Sequence, residues 1–383
     1  MPNTENTMHG KSEKGTDEPP HEGRRRWWHW RRLTRGRLWL AITMAVVGAL
    51  LGGVGVAWQA EAGPFADHRA CWGAFDRDDV ATLFDGETDI KTSELPITVN
   101  RLDTKGPSGE CRLTSGRDQI TVQVHQLETW PGGASDQWAD EFLSARLSPL
   151  GGRLLGMASD TRAWLAVPDD CNFRPLHGDG PTVIDMETGW TDYDGKVDTA
   201  ARNRLAHAIV TLVNHYKTDQ GCTSTTADRV GRMPEPGRDL EEKKDALCGI
   251  KGLPLPEAYD IGRTWVTRGE GPVRTCDRDV TYGHPTVRLM TVEDPRLAPL
   301  YDRLAQEGAA QQIKADKRDG HGFIRDDLGL FQARCRTGPV TFLIRSPDGR
   351  FPVYIRRLLP RYVTAEAARI GCGSLHITLP RDG

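Results

Sequence analysis

The longest uninterrupted apolar stretch runs from Leu38 to Trp58, LWLAITMAVVGALLGGVGVAW, twenty-one residues without a charge. At about 1.5 Å per helical residue it reaches roughly 31 Å, enough for a hydrocarbon core of about 30 Å. Lipid offers no partner for open backbone groups, so a transmembrane helix is expected over 38–58. Beyond it the periodicity shortens. Ile120, Val122 and Val124 alternate as in a half-buried strand. Leu205, Ala208, Ile209, Leu212, Val213 and Tyr216 form one apolar helical face.

The same order of patterns recurs. After Cys111 come the alternating run, a helix that Ser135 is placed to N-cap with Trp138, Phe142 and Ala145 on one face, and strand-like Leu154 to Met157 and Ala163 to Val167. After Cys276 come alternating Val287 and Leu289, then Asp294-Pro295 as a cap-then-proline helix start. Leu297, Leu300, Tyr301 and Leu304 follow at i, i+3, i+4, i+7, and strand-like Leu328 to Phe331 leads into Cys335. Gly180-Pro181 precedes Thr182 to Met186, as Gly338-Pro339 precedes Val340 to Ile344. Each run leads to a helix and a last cysteine; the second helix spans about Val353 to Ile370, interrupted near Pro360. The pattern predicts two tandem α+β domains of antiparallel sheet plus helices, at 64–224 and 246–383. The stretch 225–245, with Pro234, Pro236, Gly237 and the charged run Asp239 to Lys244, reads as their linker.

Charge orients the span. Arg24, Arg25, Arg26, Arg31, Arg32, Arg35 and Arg37 crowd before it, and the next cation after it is Arg69. Cationic flanks stay cytoplasmic, which puts residues 1–37 inside as a disordered basic tail and the rest outside. Trp27, Trp28, Trp30, Trp39 and Trp58 suit the two interfaces, and the arginines from Arg24 to Arg37 suit anionic headgroups. The span is long for a cleaved signal, so a retained anchor is expected, although Ala60-Glu61-Ala62 has the small-x-small form of a cleavage site. Gly48 and Gly52 would allow a homodimer through close helix approach. Beyond residue 62 stand 41 Lys+Arg against 47 Asp+Glu, an acidic balance that gives nucleic acid no footing.

All eight cysteines lie beyond the span: Cys71, Cys111, Cys171, Cys222, Cys248, Cys276, Cys335 and Cys372. An even set on the outer side reads as disulfides, and no two stand close enough for a zinc knuckle. Four cysteines per copy permit three connectivities. The order of elements favours Cys71–Cys111, Cys171–Cys222, Cys248–Cys276 and Cys335–Cys372. Cys71, the helix-like DRDDVATLFDG and Gly109-Glu110-Cys111-Arg112 before an amphipathic strand resemble a family of uncharacterised actinobacterial (streptomycete-like) exported or lipoprotein domains with paired cysteines. Leu247-Cys248-Gly249 and Cys276-Asp277-Arg278 resemble it more loosely, so the chain looks like that domain duplicated behind a transmembrane anchor. Leu113 stands where the family has an aromatic, and an anchor replaces the lipid-bearing cysteine. The resemblance implies fold and an exported location, and no reaction.

No spaced catalytic or phosphate-binding motif is present, and no catalytic residue, metal site or cofactor is expected. Leu176-His177-Gly178-Asp179-Gly180 and Arg318-Asp319-Gly320-His321-Gly322 place His beside Asp among glycines, which could bind a metal or act in acid/base work; exposed turns are the favoured reading. His125 is expected on an exposed strand face, and His207 and His215 are too far apart on their helix to share a ligand. Trp130, Trp138, Trp164, Trp190 and Trp265 suit core packing, or a ligand-binding patch. The expected function is a single-pass, envelope-anchored binding or interaction module for an unknown envelope protein or ligand, without catalytic activity. An envelope enzyme with a dispersed active site and a sensor with a short cytoplasmic tail are the alternatives.

Overall fold

The computed structural model describes residues 69–98, 106–127, 134–168, 171, 180–189, 196–222, 226–255, 262–281, 284–305, 311–315, 320–346 and 352–380. The expected basic tail, the span 38–58 and the Gly48/Gly52 pair lie outside them. Among the described residues no helix is long and apolar enough to cross a membrane.

The fold class is mixed α+β with two antiparallel sheets. Asp76 starts α1 (Arg77–Leu83) with a full capping box, its carboxylate taking the N–H of Asp78 and Asp79 while Asp79 takes that of Asp76. The first sheet comprises β1 (Lys91–Thr98), β2 (Ser108–Ser115), β3 (Asp118–Gln126), β4 (Ser148–Pro149), β5 (Gly156–Ala158), β6 (Arg162–Ala166) and β7 (Thr182–Thr188), with α2 (Ala134–Phe142) before β4. Helix α3 (Thr199–Asp219) closes this half, N-capped by Asp198, and buries Leu205, Ala208, Ile209, Leu212, Val213 and Tyr216, the face its period predicts.

The second sheet comprises β8 (Arg238–Glu241), β9 (Arg263–Val266), β10 (Val273–Thr281), β11 (His284–Val292), β12 (Gln311–Ala315), β13 (Gly320–Ile324), β14 (Leu328–Cys335), β15 (Gly338–Arg345) and β16 (Ile377–Thr378). Short α4 (Asp302–Ala305) precedes β12, and α5 (Pro352–Arg369) follows β15. The first sheet runs β1-β2-β3-β7-β6-β5-β4, and the second β8-β9-β10-β11-β15-β14-β13-β12-β16. Without β8 and β16 the two orders are the same.

The likeness extends to single residues. Cys111 pairs with Val122 across β2–β3, and Cys276 with Leu289 across β10–β11. Their disulfide partners Cys71 and Cys248 both adopt left-handed φ, +54° and +59°. Gly156 in β5 and Gly322 in β13 lie one strand from Trp164 and Leu330, where a Cβ would approach the carbonyl oxygen to 2.5 and 2.2 Å. Helices α3 and α5 end alike, with Gly221 and Gly371 left-handed and the N–H of Cys222 and Cys372 bonded five residues back. The four disulfides are Cys71–Cys111, Cys171–Cys222, Cys248–Cys276 and Cys335–Cys372, the pairing that element order favours.

Three differences from the sequence reading have physical causes. The helix expected from Pro295 is a 3₁₀ turn, Ala298–Tyr301, running into α4. Pro295 and Pro299 stand four apart, so the second ring opposes the carbonyl that an α-helix would use. Leu297, Leu300, Tyr301 and Leu304 are nonetheless buried. Helix α5 continues through Pro360, because Leu358, Leu359, Tyr362 and Val363 around it lie in the core. Part of the expected linker, Arg238–Glu241, is edge strand β8, and Gly231 N–H bonds Leu150 O at 2.9 Å.

His68–Gly383 forms one compact unit with three apolar cores. One lies between the first sheet and α3, another between the second sheet and α5. The third joins Trp138, Phe142, Leu143, Met157 and Trp164 of the first half to Met290, Leu300, Phe323, Leu330 and Leu343 of the second. We call the sheet faces that line it inner.

Candidate functional site

Alternation along two strands of the second sheet puts charge on the inner face. In β11, Arg288 shares a side with Met290 and Val292; in β15, Arg345 shares one with Leu343. Between strands β11 and β15 the two arginines are directly paired in register. Such neighbours repel unless an anion lies between them. The first half supplies it. Asp140 on α2 accepts from Arg288 Nη1 at 3.1 Å and from Arg345 Nη1 at 3.0 and 2.9 Å.

Arg288 turns its Nε and Nη2 to Asp277 of β10, at 2.6 and 3.2 Å. Asp277 also accepts the Ala145 N–H at 2.8 Å, and Thr275 Oγ1 donates to Leu143 O at 2.6 Å. Asp277 and Arg288 side chains are only 3% and 4% exposed. Two carboxylates thus match two guanidiniums, and the network ties the end of α2 to the second sheet.

Beside this network is a cavity of about 40 Å³. Arg288, Arg325, Arg345 and Asp140 are its charged walls, and Met290, Leu304, Leu328 and Leu343 form an apolar floor. A wider groove of about 560 Å³ lies on the first half, walled by Asp85, Glu87, Arg117, Asp118, Asp160 and Arg204. Arg204 and Asp85 already pair there at 2.9 Å.

The sequence candidates are dispersed. His177 and Asp179 lie outside the described residues, as does Asp319. Gly320, His321 and Gly322 are strand residues in β13, not a turn; Gly322 is required by the close approach of Leu330 O, and His321 is exposed. His125 is half-buried rather than exposed, its Nε2 2.6 Å from Asp185 Oδ2, and the Trp138 indole N–H donates to the same oxygen at 2.8 Å. His215 Nε2 bonds the Trp72 carbonyl at 2.9 Å, and His207 is exposed. Trp138 stacks on Phe142 and meets Trp164 edge-on, so these two serve the shared core. Trp265 lies under the Arg146 guanidinium at 5.4 Å, and Trp130 and Trp190 are outside the described residues.

Among the groups with shifted protonation, two lie beside the sheets. Glu187, on the inner face of β7, is held above the usual carboxylate range by burial, against the pull of Arg162. Under α5, Tyr362 is pushed up, by burial first and Glu366 second; its hydroxyl is 2.7 Å from Thr291 Oγ1. Glu366 binds Arg274 at 3.0 Å. Among the described residues no group of three or more His, Cys, Asp or Glu is arranged to hold a metal ion.

Reasoning from sequence missed Asp140, Arg288 and Arg345. The one signal was a single arginine on the inner-face side of each apolar run, in VRLM and FLIR. Asp140 had none, because it stands in an ordinary acidic helix turn. Comparison with protein-family models, curated proteins and solved structures found no match.

Proposed function

We propose that this protein is a single-pass, envelope-anchored binding module, its two like halves displayed outside the cytoplasmic membrane by the 38–58 helix. The observation that carries the binding reading is the cavity where the halves meet, with guanidiniums above an apolar floor. Concave sites between packed units are where ligands commonly bind, and at about 40 Å³ this one admits only a small group. The outer location draws on four disulfides that use all eight cysteines, which an oxidising compartment sustains. The sheet orders, the same once β8 and β16 are set aside, support a tandem duplication.

An envelope enzyme draws on a different observation, the half-buried His125 backed by buried Asp185. The cavity at the junction is lined by guanidiniums and apolar side chains, and this supports binding. The test uses intact cells producing the full chain. After mild reduction, a membrane-impermeant maleimide should label the protein, and the protein should sediment with membranes and resist salt extraction. Labelling only after lysis, or release by salt, would overturn the anchored, outward-facing reading.

A further inference from the structure

We propose that the cavity at the junction of the halves binds a carboxylate borne on a short apolar group. This rests on the binding-module reading and names the ligand class. Three guanidiniums and one carboxylate wall the cavity, and each guanidinium has a carboxylate partner, so what the wall offers an anion is open hydrogen-bond donors and not net charge. Asp277, which matches Arg288, is buried behind it, and Asp327 takes Arg325 at 2.6 Å.

Arg345 is the group equipped to receive an anion. It spends only Nη1 on Asp140, and its Nε and Nη2 have no partner among the described residues. Its side chain is 30% exposed, whereas Arg288 is 4% exposed and committed on both sides. A guanidinium edge with two open donors matches the planar, bidentate geometry of a carboxylate. The floor of Met290, Leu304, Leu328 and Leu343 gives an apolar tail its complement, which inorganic phosphate would leave uncovered.

Volume limits the tail. About 40 Å³ admits roughly three non-hydrogen atoms, so only the apolar tail enters it, a group such as propyl or isopropyl, with the carboxylate at Arg345 on the rim. Two sources share that chemistry: a free short-chain acid, and the C-terminal residue of a peptide ending in a small apolar side chain.

The experiment is calorimetric titration of the full-length protein with butyrate, N-acetylvaline, butyramide and inorganic phosphate. Saturable binding of butyrate or N-acetylvaline is expected at millimolar concentrations, with butyramide and phosphate inert. Tighter N-acetylvaline identifies a peptide terminus, and tighter butyrate a free acid. Arg345→Gln should weaken the bound acid about ten- to a hundredfold, the worth of a charged hydrogen bond. Leu328→Phe, which fills the floor, should abolish binding of the acid.

These ligand comparisons on the wild-type protein decide the matter even where a variant unfolds. Failure of both carboxylates to bind, or equal binding of butyramide or phosphate, overturns the assignment. With surface labelling of cells intact, that failure removes the ligand class and leaves the envelope-module reading standing; loss of surface labelling with carboxylate binding retained does the reverse.

Discussion

Arg288 shows how a buried charge is tolerated here. It leaves water only because Asp277 and Asp140 accept its three nitrogens, and removing one member of such a network strands the others. Arg288→Met should therefore destabilise the fold by about 3–5 kcal/mol, read as a lowered urea midpoint at unchanged slope. An Arg288→Met, Asp277→Leu double variant should recover much of that loss, because the orphaned carboxylate goes with its partner. Equal destabilisation by single and double variants would contradict this account. Glu187 has the opposite character. Its folded pKa lies above its unfolded value, so its contribution to stability is full at acid pH and is lost as pH rises through the folded value. Wild type should lose stability relative to Glu187→Gln across that carboxylate window. The loss should stay below about 1 kcal/mol, since the side chain is 40% exposed and solvent screens it. The pH dependence of the two melting temperatures checks the sign.

Helix α5 depends on what it is packed and stapled to. Pro360 removes one of its hydrogen bonds, and Leu358, Leu359, Tyr362 and Val363 hold it to the sheet. The Cys335–Cys372 bridge joins the end of β14 to the turn beyond the helix, closing a separation of 37 residues. A Cys335→Ala, Cys372→Ala protein should lose about 3–4 kcal/mol in chemical denaturation, with far-UV dichroism nearly native. A loss under about 1 kcal/mol would show that α5 is held by packing alone. Element types were largely readable from the sequence: the strand β3, the apolar face of α3 and the helix-like stretch that forms α1 all follow local chemistry. Element limits near Pro295 and at β8 were not. A 3₁₀ turn between two prolines and an edge strand inside a charged, proline-rich stretch depend on neighbours remote in sequence.

Both halves contribute side chains to one inner core, so they should not unfold independently. Differential scanning calorimetry should give a single transition, with van't Hoff and calorimetric enthalpies in agreement. Two separated transitions would mean that the inner core adds little. The two edges also differ. In the second sheet β8 covers β9, whereas the corresponding β1 is an edge strand of the first sheet, interrupted by Pro96. A proline on an open edge discourages pairing with another chain. Local properties of the chain were enough for the periodic faces and the shared order of elements in the two halves, and that order favoured one disulfide pairing among the three open to each copy. Each of these depends on spacing along the sequence and on chemistry that a short window contains. Sheet order, the inner core and the meeting of Asp140 with Arg345, 205 residues away, were decided only by tertiary structure. A charge chooses its partner by where register and packing bring the strands, and no window of sequence encodes a distance across two sheets.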